Sequence, residues 1–341
     1  MKRYILIFGL SLALNVYADE PTVVAETNPN DASTKCGGNC TWKLYSDGKL
    51  EISGTGDMYA WSLYNTHAPV RENSFNTYQT TAPWGNYSGQ ISTVKVNEGI
   101  TSIGKSAFYN VAVTNADIAK SVATLESGAF QYSDLQNISL PSSLKSIGGA
   151  TFYATSLQNL IVPEDVTSIS QNALQSVQNL TLEGNTNLNK NVFWGDSDGT
   201  SITIPTNIYC LSSNASCNAL KTDTDIGSKI TSFTKEAGVY RLEDGTMFAS
   251  PNNMMSGTNA CVDLDTCKAT VLQNKGYCTG DQACLAIVAL ENDNHPIEYN
   301  NKSYASIDDL LKGKYMPKRI YTIDEANRVA GTRNRISIKY R

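Results

Sequence analysis

Between residues 91 and 174 the chain repeats itself every 22 residues. The leading apolar position runs Val94, Ala116, Ile138, Leu160, and the next runs Val96, Ile118, Leu140, Val162. Behind them come Ile100, Val122, Leu144, Val166, then Ile103, Leu125, Ile147, Ile169, then Phe108, Phe130, Phe152, Leu174. Chance does not hold five columns in register over four copies, so each copy reads as one structural unit stacked on its neighbour. A fifth copy at Leu180, Thr181, Leu182 arrives two residues early, and a sixth at Ile202, Thr203, Ile204 returns to the 22-residue step. The array therefore has about six coils over residues 91–210.

Each copy holds a short alternating strand such as Ile138, Ser139, Leu140, whose flanking residues point inward and whose middle residue points out. A turn with Pro or Gly follows (Gly99, Pro141, Pro163), and Leu144, Ile147 and Phe152 refill the interior. One coil cannot close over its own apolar face. Stacking at about 4.8 Å buries a continuous ladder, and six coils predict a parallel sheet roughly 25 Å long with short irregular backs. The outward row is Lys95, Asp117, Ser139, Ile161, Thr181 and Thr203, mixed and nearly neutral. A polar column, Thr93, Asn115, Asn137, Asn159, Asn179, Ser201, precedes the strands, and it is expected to bond backbone and its own copies.

Residues 1–18 read as a secretory signal: Lys2 and Arg3, an apolar stretch from Tyr4 to Leu14, then Val16 and Ala18 before a cut. No later segment approaches the roughly 18 apolar residues of a membrane span. A soluble, exported mature protein is expected, extracellular or at the cell surface, with the periplasm as the alternative. Eight cysteines in such a chain imply oxidised pairs, and Cys36 with Cys40, Cys210 with Cys217, Cys261 with Cys267, and Cys278 with Cys284 lie in four close local pairs. Exchanged partners among the last four are the alternative. Metal binding would need two-residue gaps or nearby histidines, and neither occurs.

Around the repeats, residues 19–35 read as a flexible tail and residues 36–90 as an N-terminal capping region. Within the cap, Thr41 to Tyr45 and Lys49 to Ser53 alternate about Ser46, Asp47 and Gly48, the composition of a hairpin. Residues 211–341 lose the period. There Val239 to Leu242 and Thr246 to Ala249 flank Glu243, Asp244 and Gly245 as another hairpin, and Leu285 to Leu290 reads as a short buried strand. Ser306 with Asp309 and Thr322 with Glu325 predict capped helices over 307–312 and 323–330, stopped by Gly313 and Gly331, with a final strand from Arg335 to Tyr340. This predicts a compact, disulfide-tied α+β module suited to covering the open end of a solenoid.

The repeat copies Val94 to Tyr109 and Ile138 to Tyr153, with their Ser-Ile-Gly and Ala-Phe or Thr-Phe segments, resemble the BspA-like (treponemal-type) leucine-rich repeats of bacterial surface proteins. The preceding Cys36, Gly37, Trp42, Leu44, Gly48, Leu50, Ile52, Gly54, Gly56, Met58 and later Ala82, Pro83, Trp84 are similar to that family's entry segment. Cys40 and an aromatic-rich insertion between Met58 and Ala82 depart from it. The resemblance implies a mainly β fold, a leucine-rich-repeat solenoid with a parallel sheet and a hairpin cap. It also implies a surface or secreted protein associated with adhesion to host proteins or other cells rather than an enzyme.

Three function classes follow. A binding module would use the outward row, since rigid parallel solenoids bind macromolecules without reorganising. Its partner would be a protein or glycan on host or bacterial surfaces, which the sequence does not identify. A carbohydrate-binding role would centre on the insertion, where Trp61, Tyr64, Phe75, Tyr78, Trp84 and Tyr87 crowd together; the plainer reading is that these rings seal the first coil. A structural envelope component is the remaining alternative. An enzyme is not expected, because His67 and His295 are the only histidines and the cysteines read as paired. Asp196, Asp198 and Gly199 suggest a calcium loop but lack the third acidic position and the closing Glu. No cofactor or metal is expected. Nucleic acid is not expected as a partner of a chain that reads as exported and is acidic outside its terminus. The excess of Lys and Arg from Lys312 onward reads as a solvated face, or else as attraction to an anionic surface such as lipopolysaccharide.

Overall fold

Alternating apolar residues on either side of Asp47 and Gly48 fold into the first large hairpin of the computed structural model, which describes residues 20–70, 76–193 and 204–316. Strand β1 (Val23–Glu26) lies antiparallel on β2 (Gly37–Tyr45), and β2 lies antiparallel on β3 (Lys49–Met58). Gly48 takes φ +83° in the turn, a conformation open to a residue without Cβ. The expected flexible tail is corrected here. Residues 20–35 hold β1 and a single 3-10 turn capped by Asp31, because β2 otherwise leaves its outer backbone groups unpaired. Trp42 adds an anchor by donating from Nε1 to the Thr34 carbonyl at 2.7 Å.

The chain divides into two compact units, Met1–Thr206 with Ala215–Gly227, and Asn207–Asn214 with Ser228–Arg341. In the first unit β3 doubles as the opening rung of the repeats. Its Leu50 stands in register with Val94 of β6 (Thr93–Val96), Ala116 of β8 (Asn115–Ile118) and Ile138 of β10 (Asn137–Ser139), all parallel. Between β3 and β6 the insertion forms its own antiparallel hairpin of β4 (Leu63–Asn65) and β5 (Tyr78–Thr80). Every coil then adds a second rung that the alternation alone does not announce: β7 (Ile100–Ile103), β9 (Thr124–Leu125), β11 (Ser146–Ile147) and β13 (Ser168–Ile169), again parallel. A third set of backbone bonds joins the turns that carry the phenylalanines, from Phe108 to Ala129, Phe130 to Thr151 and Phe152 to Ala173.

The expected unbroken first ladder is interrupted. It stops at β10, and β12 (Asn159–Val162) pairs instead with β14 (Asn179–Leu182). A contributing difference lies just after the second inward residue of each coil, and it falls on the break itself at Pro163. Asn97 donates to the Ile52 carbonyl, Ala119 to Val96 and Glu183 to Val162, whereas the equivalent positions in the third and fourth coils are Pro141 and Pro163, which have no N–H. Ile138 and Leu140 are accordingly half-buried, while Leu144 and Phe152 are fully buried in the shared core. The rung expected at 202–204 lies outside the described residues.

Phenylalanine rings run down that core as a stack. Centroids are 5.1 Å apart for Phe108 and Phe130 and 6.1 Å for Phe130 and Phe152, with interplanar angles of 23° and 14°. Trp84 caps the stack 5.5 Å from Phe108 and donates from Nε1 to the Ala107 carbonyl at 2.8 Å. Such pairs contribute about 0.5–1.5 kcal/mol each beyond their burial. Helix α1 (Ala215–Leu220) also belongs to this unit, where Lys190 bridges Asp223 and Asp225.

The second unit opens on β15 (Asn207–Leu211), parallel to β16 (Ile230–Glu236), which continues antiparallel into β17 (Val239–Leu242) and β18 (Met247–Phe248). The β17–β18 hairpin turns on Glu243, Asp244 and Gly245 as expected. Helix α2 (Pro251–Ser256) starts from a Ser250 cap with Pro251 in its first turn, and α3 (Leu264–Asn274) starts from an Asp263 cap. The expected strand at Leu285 to Leu290 is instead part of helix α4 (Asp281–Asn292). Its apolar run is Ala-rich, and Cys284 and Val288, one turn apart, are the pair it buries. Strands β19 (Ile297–Tyr299) and β20 (Lys302–Tyr304) meet through Asn300 and Asn301, both at positive φ, before α5 (Ile307–Leu311). Ser306 caps α5 by accepting from the Asp309 N–H at 3.0 Å, and Gly313 follows at φ +68°. The expected helix at 323–330 and the strand at 335–340 lie outside the described residues, as does the signal segment.

Candidate functional site

The outward row of the first ladder is wider than the repeats. Register places Glu26 beside Lys43, Lys43 beside Glu51, Glu51 beside Lys95, Lys95 beside Asp117 and Asp117 beside Ser139. Charges therefore alternate across five strands and end on a hydroxyl. Opposite charges on neighbouring strands stabilise the sheet, and Lys43 reaches Glu26 at 3.1 Å. The Glu26 contact raises the Lys43 pKa. The Glu51 carboxyl is held below its ordinary range, first by the Asn97 side-chain amide at 3.0 Å, against the opposing effect of burial, with help from the Tyr45 hydroxyl, Lys49 and Lys95. Glu26, Lys43 and Glu51 escape a reading of the 22-residue period because β1, β2 and β3 lie outside it. The pattern that reveals them is the alternation within the entry hairpin itself.

The rest of the expected row changes character. Lys95, Asp117 and Ser139 are exposed on one ladder, while Ile161 is half-buried on the separate β12–β14 pair. Thr181 is fully buried, which corrects its expected exposure; it stands in register beside the apolar Ile161, and its hydroxyl has no hydrogen-bond partner among the described residues. Thr203 lies outside the described residues. Alongside the row, the asparagine column behaves as expected. Asn137 donates to Asn115 at 3.0 Å and Asn179 to Asn159 at 2.8 Å, each one rung apart.

A tyrosine column runs next to the phenylalanine stack. Tyr109, Tyr132 and Tyr153 meet edge to face at 5.5 Å centroid separations. Burial, then the neighbouring Tyr153 and Tyr109, push the Tyr132 phenol up to about 12. Burial also raises Tyr109, which Asn76 partly offsets by donating to its hydroxyl at 2.8 Å. The Tyr109 and Tyr132 phenols stay protonated through the neutral range, and the column serves packing.

Four of the six aromatic candidates around the insertion separate into two pairs. Trp61 and Trp84 are buried, 5.3 Å apart, and Trp84 also lies 6.0 Å from Trp42, so these rings seal the first coil. Gly104 permits this closure: a Cβ there would lie 1.9 Å from the Tyr59 carbonyl oxygen and 2.7 Å from the Trp61 ring. Tyr64 and Tyr78 remain exposed on β4 and β5. Phe75 lies outside the described residues.

All eight cysteines are disulfide-bonded. Cys36 joins Cys40, Cys261 joins Cys267, and Cys278 joins Cys284, which settles the pairing of the last four as local. Among the described residues no group of three or more His, Cys, Asp or Glu is placed to hold a metal ion. His67 and His295 fall in different units. Asp196, Asp198 and Gly199 lie outside the described residues. No helix among the described residues is long and apolar enough to cross a membrane.

Residues 86–181 match the model of the BspA type leucine-rich repeat region in six copies. A search of curated proteins returns no match. Among solved structures, a leucine-rich repeat protein from Eubacterium ventriosum is 23% identical with a TM-score of 0.41, over 61% of this chain and 47% of that one. The T. pallidum leucine-rich repeat protein is 20% identical with a TM-score of 0.28, over 41% and 67%. The pneumococcal vaccine antigen PcpA is 17% identical with a TM-score of 0.31, over 61% and 53%. The chain thus spans about half the length of the first and third of these proteins.

Proposed function

We propose that this protein is an exported, non-enzymatic binding protein of the bacterial surface or its surroundings. In this reading the outward row of the repeat sheet engages a protein partner, in adhesion or a related contact. The observation that carries it is the register-locked alternation Glu26, Lys43, Glu51, Lys95, Asp117 on a backbone that hydrogen bonds hold at every rung. A preorganised strip loses little conformational freedom on binding, and its alternating sign selects by pattern rather than by net charge. Ser139 ends the strip. The oxidised cysteines and the BspA-type repeats support an extracellular setting.

Pull-down of host and bacterial surface proteins by the oxidised full chain, compared with a Lys95→Glu/Asp117→Lys variant, tests the reading. Reversal leaves the summed charge unchanged while inverting the pattern. Loss of a captured protein, by about tenfold or more, supports the strip as the working face. Equal capture by both proteins refutes it.

A further inference from the structure

A cleft of about 390 Å³ opens beside the entry hairpin, lined by Ser33, Thr34, Tyr64, the Thr80–Pro83 turn, Gly85 and Asn86. Its size falls at the lower end of small-molecule sites, roughly 300–1,000 Å³. We infer that it is a binding subsite for a neutral saccharide. This inference is independent of the protein-binding strip, because no residue of the cleft belongs to that row.

Three features of the lining lead there. First, none of its residues carries a charged group, so no cation is present to hold a phosphate, sulfate or carboxylate, and a charged ligand would lose hydration without compensation. Second, the lining is rich in hydroxyl and amide groups, with Thr81 and Asn86 exposed on it, which is the chemistry that exchanges hydrogen bonds with sugar hydroxyls. Third, it holds one aromatic ring whose orientation is fixed in advance. Tyr64 is 41% exposed, and its hydroxyl donates to Gln79 Oε1 at 3.0 Å. Gln79 is itself buried and donates to Ser88 at 3.2 Å and to the Gly85 carbonyl. A ring held from behind in this way presents an apolar plane to the C–H face of a pyranose. Thr80 and Thr81 hold the neighbouring turn through bonds accepted from Ala82 and Ser62 N–H at 3.1 Å each. Tyr78, on the partner strand, does not line the cleft and supplies an internal control.

Saturation-transfer NMR on the full chain with lactose, maltotriose and N,N′-diacetylchitobiose as probes tests the inference. At least one probe is expected to receive magnetisation. Tyr64→Ala is expected to weaken that binding about tenfold or more, and Tyr64→Phe, which keeps the ring but loses the hydroxyl bond to Gln79, to weaken it less. Asn86→Trp, at an exposed position, fills the cleft and abolishes binding even should Tyr64→Ala disturb the hairpin. Tyr78→Ala and Lys95→Glu/Asp117→Lys leave it unchanged. Silence from all three probes overturns the subsite, as does undiminished binding by Asn86→Trp or by a folded Tyr64→Ala.

Discussion

The two units of this chain solve the same problem by different means. Unit 1 stacks like on like: Phe108, Phe130 and Phe152 lie ring on ring, each outward charge of the strip faces its opposite, and neighbouring asparagines join into pairs. Unit 2 has no repeat to draw on and holds short helices and strands with Cys261–Cys267, Cys278–Cys284 and a shielded ion pair. In that pair Lys268 Nζ on α3 meets Glu291 Oε2 on α4 at 2.7 Å, with side chains only 9% and 17% exposed, and Glu291 also accepts from the Ile307 N–H. Repetition distributes stability along a ladder, while cross-links concentrate it at a few bonds.

The largest effect that separates the two comes from replacing all four cysteines, Cys261→Ser, Cys267→Ser, Cys278→Ser and Cys284→Ser. Each bridge spans a sequence separation of 6, and closing such a short loop is worth about 2–2.5 kcal/mol in chain entropy, so the quartet costs unit 2 about 5 kcal/mol. The chain reports this selectively. Among the described residues the tryptophans, Trp42, Trp61 and Trp84, all fall in unit 1, whereas α2 to α5 fall in unit 2. Helical circular dichroism is expected to collapse at much lower urea than tryptophan fluorescence. Coincident transitions that move together would show instead that the two units unfold as one.

Phe130→Ala tests the converse. Phe130 is fully buried between two stacked neighbours, and its removal is expected to cost about 3–5 kcal/mol. The tryptophan transition should fall to lower urea and the helical signal should hold. A loss below about 1 kcal/mol would mean that the stack relaxes around the gap and that each coil is less dependent on its neighbours than the ladder implies.

How much of this was legible in the sequence follows the same division. Five columns in register located the inward residues of the repeats, because a 22-residue period leaves Phe108, Phe130 and Phe152 one place to go. The period is silent about the entry hairpin, so the extension of the charged row to Glu26, Lys43 and Glu51 became visible only when β3 proved to be the first rung. It was equally silent about the break between β10 and β12, where Pro163 has no N–H to donate back to the third coil and Ile161 and Thr181 are set apart from Lys95 and Asp117. In the insertion, composition could not distinguish a sealing ring from a presented one: Trp61 and Trp84 turned inward, and Tyr64 and Tyr78 outward. In unit 2 the caps at Ser306 and the Asp244–Gly245 turn were readable as local chemistry. Leu285 to Leu290 was not, since a short apolar run fits a buried strand or a helix until its partners are known.

The smallest expected effect concerns backbone conformation. In unit 1 the positions one coil apart at Asn110, Tyr132 and Ala154 all take φ between 54° and 60°. In unit 2 left-handed positions belong to Asn259, Asn294, Asn300, Asn301 and several glycines, with Ala237 the exception among the described residues. Stacking therefore imposes on tyrosine and alanine a conformation that unit 2 mostly assigns to residues suited to it. A left-handed L-residue costs about 1–2 kcal/mol, and the entropy glycine loses on folding offsets part of the gain, so Ala154→Gly should stabilise unit 1 by about 0.5–1 kcal/mol. Asn294→Gly in unit 2 serves as the matched control and should change stability by only a few tenths of a kcal/mol, since asparagine already tolerates that region. Urea titration read by tryptophan fluorescence for the first and by helical circular dichroism for the second distinguishes them. Destabilisation by Ala154→Gly would show that the Ala154 methyl contributes more through packing than the backbone loses through strain, and that the repeat selects these positions for their side chains.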